Sequence, residues 1–285
     1  MPPKLSETFK VEWVVVGWGD WMALNEKLQH LKSIVGGCES VVVAFSGGVD
    51  SSLVCAVAHE ILGDRAIAVT ALSPTYPHDE LEVAKSVAKF IGIGHRIITT
   101  DELGNPNFRA NPRERCYFCK SELYRKLDEI RSELGFEKIL DGTNYDDLSD
   151  FRPGLRAAEE FKVVSPLALT KLTKVEVRAL ASMYGLPNAD KPATPCLASR
   201  IPFGCAITAE KLERISRGER FLRSLGFRIV RLRDHGDLAK IEVGKDELPK
   251  ALELKDGIVG ELKKLGYARV ALDLEGYRPG GLAEN

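Results

Sequence analysis

The sequence predicts an α/β protein: a doubly wound parallel sheet followed by a smaller C-terminal α+β domain. Three observations predict it. A β-branched run at 40–45 (SVVVAF) leads directly into a glycine loop and a helix, and such runs mark strands buried on both faces. Strand-like and helix-like segments then alternate as far as residue 184, the pattern of βαβ units with ligands at the carboxyl ends of the strands. Beyond residue 205 the order becomes helix, strand, strand, helix, strand, a small α+β arrangement of its own.

The elements follow in order. A helix is expected at about 22–35, a strand at 40–45, a helix at 53–62 and a strand at 66–71. After a loop with two prolines come a helix at 79–91, a strand at 95–99 and an irregular stretch at 104–115. A helix at 119–134 and a strand at 138–141 follow, then a helix at 153–161, a short strand at 163–165 and a helix at 173–184. The second domain reads as a helix at 208–225, strands at 227–233 and 238–243, a helix at 246–265 and a strand at 268–274. The expected organisation is 1–21 as an extension of doubtful order, 22–205 as the α/β domain and 206–285 as the C-terminal α+β domain. The apolar stretch at 11–18 is short and lacks the small-residue sequel of a signal peptide. No run approaches the ~20 apolar residues of a membrane helix.

Composition narrows the chemistry. The 285 residues are 44% hydrophobic and 28% charged, with a net charge of −1, which is ordinary globular composition. No global positive field recruits nucleic acid or an anionic membrane, so any bound anion is captured locally. Six cysteines are too few and too unevenly spaced for a disulfide scaffold, and a Cys-x-x-Cys pair points to metal or redox chemistry in a reducing compartment. The expectation is a cytoplasmic protein without membrane or nucleic-acid partners.

The loop Ser46, Gly47, Gly48, Val49, Asp50, Ser51, Ser52 lies between a strand and a helix. Its glycines let the backbone turn tightly and approach a ligand, and the helix that follows presents unpaired N–H groups and a positive dipole end. The Gly-Lys-Ser/Thr ending of a Walker loop is absent. The alternative is an ordinary glycine turn capping a helix. A second element, at 141–147 (DGTNYDD), ends a later strand. Its carboxylates suit Mg²⁺, although Asn and Asp are also at home in turns and caps.

Cys116 and Cys119, in RCYFCK, stand within reach of one metal or cluster, and the flanking Arg115 and Lys120 favour thiolate. Cys196 sits in a Pro-bounded loop, TPCLASR, and Cys205 is a possible fourth thiol. Cys38 and Cys55 lie in or beside apolar elements and read as small core residues. Three thiolates with one open position suit an iron–sulfur cluster. Zinc, or plain packing and redox, are the alternatives on spacing alone.

The loop resembles the pyrophosphate loop, SGGxDS, of the ATP pyrophosphatase (PP-loop) superfamily, whose fold is adenine nucleotide alpha hydrolase-like. That resemblance implies cleavage of ATP between its α and β phosphates. It implies that Asp50 helps hold Mg²⁺ or the phosphates, and that Gly142, Thr143, Asn144 and Asp146 lie beside the nucleotide. Taken together, SGGVDSS, RCYFCK, GTNYDD, KPATPCLASRIP and the tail VRLRDHGDLAKIEV resemble the LarE family of ATP-dependent sulfur transferases over about 25–278.

The family resemblance implies adenylation of a carboxylate of pyridinium-3,5-biscarboxylic acid mononucleotide and its conversion to a thiocarboxylate, for nickel-pincer nucleotide synthesis. In one subtype a lone cysteine at the position of Cys196 sacrifices its sulfur. In the other, three cysteines hold a [4Fe-4S] cluster, and Cys116, Cys119 and Cys196 match that pattern. Homo-oligomers are implied too, with the source of sulfide unstated. A phosphorylated dicarboxylate needs cations, so Arg200, Arg231 and Arg233 are the expected substrate contacts, with Glu219 binding a metal or orienting them. Surface charge is the alternative for each arginine. The rival functions are a tRNA thiolase, which a basic stripe interleaved with aromatics would favour, an ammonia-using amide synthetase of the NAD or GMP synthetase type, and a non-catalytic nucleotide sensor.

Overall fold

The computed structural model describes residues 18–149 and 153–278. The expectations placed on 1–17 lie outside the described residues. Helix α1 spans Trp18–Gly36, so it opens before the expected residue 22. Strand β1 (Val41–Ala44) has three valines with no exposed surface, which is why its sequence shows no polar alternation. Then come α2 (Val49–Leu62), β2 (Ala66–Leu72), α3 (His78–Ile91), β3 (Gly94–Thr99), α4 (Pro106–Arg109), α5 (Arg115–Leu134) and β4 (Lys138–Leu140).

These strands form one sheet in the order β3-β2-β1-β4. Strand β1 pairs in parallel with both neighbours, Val41 lying opposite Ala66 on one side and Lys138 on the other. The strand order therefore reverses at β1, and its carboxyl end is the switch point where α/β sheets leave a ligand crevice. The strand expected at 163–165 is a single parallel bridge from Val164 to Leu140. Helices α6 (Gly154–Glu160), α7 (Pro166–Leu169) and α8 (Lys174–Met183) follow. A reciprocal cap between Thr173 and Glu176 starts α8. The core under the sheet joins Leu31 and Val35 of α1, Val41 and Val43 of β1, Leu53 and Val57 of α2, and Leu180 of α8.

The rest of the chain supplies α9 (Ala209–Ser224), β5 (Val230–His235), β6 (Leu238–Val243), α10 (Leu248–Glu253), α11 (Lys255–Lys264) and β7 (Arg269–Leu272). Strand β5 pairs with β6 antiparallel, and β6 with β7 parallel. The strand expected at 227–233 begins later because the Glu247 carboxylate accepts from the backbone N–H groups of Arg228 and Ile229. The single helix expected at 246–265 is two, because Leu254 leaves helical geometry (φ −92°, ψ 8°) and packs against the core beneath this second sheet.

The described residues fall into two compact units. One runs through residue 71 and adds 80–98 and 123–191; the other takes 72–79, 99–122 and everything from 192 onward. The second unit thus holds the three-stranded sheet together with both cysteine-bearing segments. Those segments share a small core of Phe108, Leu197, Ile201, Ile207, Leu212 and Ile215, with Cys119 and Cys196 packed at its margin. No helix among the described residues is long and apolar enough to cross a membrane.

Candidate functional site

The glycine loop sits at the carboxyl end of β1. Gly47 adopts φ +75°, and a Cβ there would meet the Ala84 Cα and N at 3.1 Å. Only glycine satisfies both the left-handed backbone and the close packing. Gly48 is the N-cap of α2, and no side chain caps the helix there, so its first N–H groups are available to an anion. The serines divide their work. Ser51 and Ser52 are buried and donate to the Gly48 carbonyl at 3.1 and 2.8 Å, which shapes the turn, whereas Ser46 is exposed. Val49 gives its side chain to the core and leaves only its backbone to the loop.

The segment 141–147 closes on this loop through its backbone. A Cβ at Gly142 would stand 2.7 Å from Ser51 N and 3.0 Å from Ser51 Cα, so this strand end lies flush against the first turn of α2. Asp141 is buried and accepts from Tyr124, Ser165 and the Thr143 hydroxyl, which commits it to structure. Asn144 donates to Asp50 at 3.2 Å and accepts from Asp146 N, while Asp146 accepts from Lys174 N. Asp50 also pairs with the Lys174 ammonium. Asn188, buried behind the loop, donates to Gly47 O at 2.8 Å and Ser52 Oγ at 2.9 Å. The loop, Asp50, Gly142, Thr143, Asn144 and Asp146 are therefore brought together, with Lys174 and Asn188 added to them.

In the second unit the first turn of α5 carries Cys116 and Cys119 one helical turn apart, and Cys196 caps a short 3-10 turn at 197–200. The expected helix start at 119 thus moves back to Arg115, which places both thiols on a helix. Burial pushes the Cys116 thiol up, and the neighbouring Cys196 adds to this; Arg115 and Lys120 oppose it. Cys119 is pushed well above the ordinary thiol range by burial, then by Glu102, Cys196 and Cys116. The three thiols therefore lie within one another's electrostatic reach. Glu102 is buried, with Oε1 taking the Thr100 hydroxyl and lying 3.9 Å from Cys119 Sγ. Its Oε2 has no partner. Cys205 is exposed, and Cys55 is wholly buried in the first unit.

The expected substrate arginines gather near the Cys196 segment. Arg200 has no exposed surface. Its fork grips Glu219 at 2.7 and 3.0 Å, and it also donates to the carbonyls of Pro195 and Cys196. Glu219 further accepts from Arg223 and Leu232 N. Burial pushes its carboxyl up, but Arg200 and Arg223 more than offset this and hold it below the usual range. Arg233 forks onto Glu242 at 3.0 and 2.8 Å and donates to Ser199 O. Arg231 instead donates to the carbonyls of Val230 and Ala193 and lies 4.8 Å from the Tyr277 ring.

Comparison with known proteins now decides the family. The family model described as asparagine synthase matches residues 37–111. An uncharacterized protein of Synechocystis is 46% identical over 91% of this chain and 97% of its own length. The pyridinium-3,5-bisthiocarboxylic acid mononucleotide synthase of Lactiplantibacillus plantarum is 37% identical over 85% of this chain and 88% of its own. The chain belongs to the LarE family. An uncharacterized protein of Methanocaldococcus jannaschii matches at 33% over 90% of this chain and 94% of its own.

As a LarE-family, PP-loop protein the chain uses ATP. Sequence reasoning missed Lys174, Asn188 and Glu102. Lys174 sits at the start of a capped helix, where its only sequence signal is structural. Asn188 follows a helix end, where Asn is unremarkable. Glu102 stands in a polar loop and gives no sign of burial.

Proposed function

We propose that this protein is an ATP-dependent sulfur transferase that adenylates a carboxylate of pyridinium-3,5-biscarboxylic acid mononucleotide and converts it to a thiocarboxylate. The observation that carries the reading is the gathering of Cys116, Cys119 and Cys196 in a chain that also builds a complete phosphate loop. A substrate carboxylate oxygen attacks the α-phosphorus, the bond from that phosphorus to the bridging oxygen breaks, and pyrophosphate leaves. A sulfur nucleophile then attacks the acyl carbon, and AMP departs with the former carboxylate oxygen. The loop N–H groups and Lys174 offset charge on the phosphates, which is where most of the rate should arise. Mg²⁺, which prefers oxygen ligands, would be held by Asp50 together with the phosphates of bound ATP and would offset their charge.

The thiols fit an iron–sulfur cluster by chemistry: three soft ligands near one another, with a buried guanidinium, Arg115, to offset an anionic centre. Among the described residues no three His, Cys, Asp or Glu side chains are arranged around a single metal ion. A tetrahedral ion with bonds of about 2.3 Å would need sulfurs about 3.8 Å apart, whereas a cluster takes thiolates set wider. Bound there by Cys116, Cys119 and Cys196, a [4Fe-4S] cluster would supply an open iron for the sulfide to be transferred.

The test is product stoichiometry. Anaerobic protein with ATP, Mg²⁺, sulfide and the mononucleotide is expected to release AMP and pyrophosphate in step with a thiocarboxylate product seen by mass spectrometry. Pyrophosphate release indifferent to the mononucleotide would overturn the reading.

The arginines carry a further prediction. Arg231→Ala with Arg233→Ala should raise the apparent KM for the mononucleotide at least tenfold more than that for ATP, since charged hydrogen bonds are each worth about 1.5–3 kcal/mol. The single variants should differ. Arg231, which among the described residues forks onto no carboxylate, should carry the KM effect, and Arg233→Ala should chiefly lower the melting temperature by leaving buried Glu242 with the Lys240 ammonium, 3.2 Å away, in place of the fork. Equal losses for both ligands would make the pair structural.

A further inference from the structure

The two arginines of β5 are held in different ways. Arg231 and Arg233 stand opposite Glu242 and Lys240 of β6, and both are buried. Arg233 is set by its fork onto Glu242. Arg231 carries five N–H donors and gives Nη1 to Val230 O at 2.7 Å and Nη2 to Ala193 O at 2.9 Å. Two carbonyls hold one side of the guanidinium but leave its plane free to tilt about the line that joins them.

Tyr277 sets that tilt. Its ring lies 4.8 Å from the Arg231 guanidinium, within the range of a cation–π contact. Burial, and then Arg200, pull the Arg231 guanidinium down; Glu219 opposes them, and so does Tyr277 by charge and hydrogen bonding. The tyrosine is fixed in turn by the segment after β7. Asp273 N and Tyr277 N donate to Ile241 O and Val243 O of β6 at 2.9 and 2.8 Å, with a turn between them closed by Gly276 N on Asp273 O at 3.1 Å. Gly276 takes φ +70°, and a Cβ there would meet Val243 O at 3.0 Å, so only glycine lets the turn lie this close to the strand. At the other end Asp273 accepts from Lys240 at 3.1 Å. Lys240 also lies 3.2 Å from Glu242, the carboxylate that grips Arg233. One short strap therefore reaches both arginines, Arg231 through a ring and Arg233 through a chain of charges.

We propose that Tyr277 is a positioning residue for the mononucleotide: its ring fixes the plane of the Arg231 guanidinium so that the remaining N–H donors meet an oxyanion of that substrate. The proposal rests on reading Arg231 as a substrate cation. A carboxylate and a phosphate offer the same pair of oxygens to a guanidinium edge, and either is recognised only when the two planes align.

Calorimetric titration of the full-length protein with the mononucleotide, in the presence of Mg²⁺ and the α,β-methylene analogue of ATP, tests it. Tyr277→Ala is expected to bind the mononucleotide at least about fivefold more weakly, the scale of a partly desolvated cation–π contact. Tyr277→Phe, which keeps the ring, should stay within about threefold of the wild type. Affinity for the ATP analogue should be unchanged in both. On an Arg231→Ala background the alanine variant should add less than about twofold, because the ring acts through the guanidinium. Thermal melting checks each fold, and should Tyr277→Ala fail to fold, Tyr277→Leu, which keeps bulk without the ring, decides. Four results would overturn the proposal: wild-type or tighter binding in the folded alanine or leucine variant, a loss in Tyr277→Phe as large as in alanine, an equal loss for the ATP analogue, or full additivity with Arg231→Ala. Wild-type affinity in Arg231→Ala would overturn the reading of Arg231 and the proposal with it, whereas a loss there without one at Tyr277 overturns the proposal alone.

Discussion

Alanine in place of Cys116, Cys119 or Cys196, one at a time, is expected to end thiocarboxylate formation and to bleach the visible absorption of anaerobically purified protein. ATP affinity should be unchanged. The expectation follows from the proposed cluster: a centre held by three thiolates would not survive on two. Cys55→Ala and Cys38→Ala should do neither. Cys55 lies in the core of the first unit, and Cys38, which donates to Ile34 O at 3.6 Å, packs at its margin. Intact mass after one turnover separates the two sulfur sources. A protein lighter by one H₂S, with no iron in the anaerobic preparation, would mean that Cys196 is consumed and that the cluster reading is wrong.

Gly142→Ala is expected to lower ATP affinity by at least tenfold while leaving the circular dichroism spectrum intact. The added Cβ would lie 2.7 Å from Ser51 N, a distance to backbone that no rotamer change relieves, so the first turn of α2 must move. Overpacking of this kind costs about 1–3 kcal/mol, and 1.4 kcal/mol already corresponds to a factor of ten in binding. Gly48→Val is the informative contrast. Gly48 has φ −77° and its nearest Cβ contact is Ser46 Oγ at 3.3 Å, so the loop accommodates a side chain. Any loss of affinity there reports crowding of the bound phosphate. Calorimetric titration with ATP measures both, and unchanged affinity in Gly142→Ala would show that the strand end does not set the loop.

The parts of this architecture that local chemistry dictates were legible in the sequence. Val41–Ala44 could only be a doubly buried strand, and the loop after it announced a phosphate site by its glycines. The thiols were legible as a set, and Cys119 as the start of a helix, but Cys116 was not legible as a helical residue. Arg115–Phe118 is drawn into α5 because Phe118 and Cys119 pack against the small core to which Leu197 and Ile201 belong, joining segments about 80 residues apart. For the same reason Lys174, Asn188 and Glu102 escaped notice. Each acquires its role from a distant partner, and nothing in its immediate neighbours distinguishes it from a capping or surface residue. The sequence offered Glu219 as a partner for the arginines; what it did not show is that Arg200, gripped by Glu219, has no exposed surface.

Asp50 is reached by Asn144 and Lys174, 94 and 124 positions away, and the Gly47 carbonyl by Asn188, 141 positions away. Contacts of such sequence separation close large loops, and their entropy must be met before they give anything back. The seven-residue motif is therefore not a portable module: a nascent or truncated chain ending before residue 144 carries the whole signature and still lacks all three of these supports. Competence to hold nucleotide arrives only when the first unit has consolidated, and nucleotide in turn stabilises that consolidated state by mass action, about 2.7 kcal/mol at a hundredfold excess over Kd. The ligand thus acts as a late checkpoint on folding.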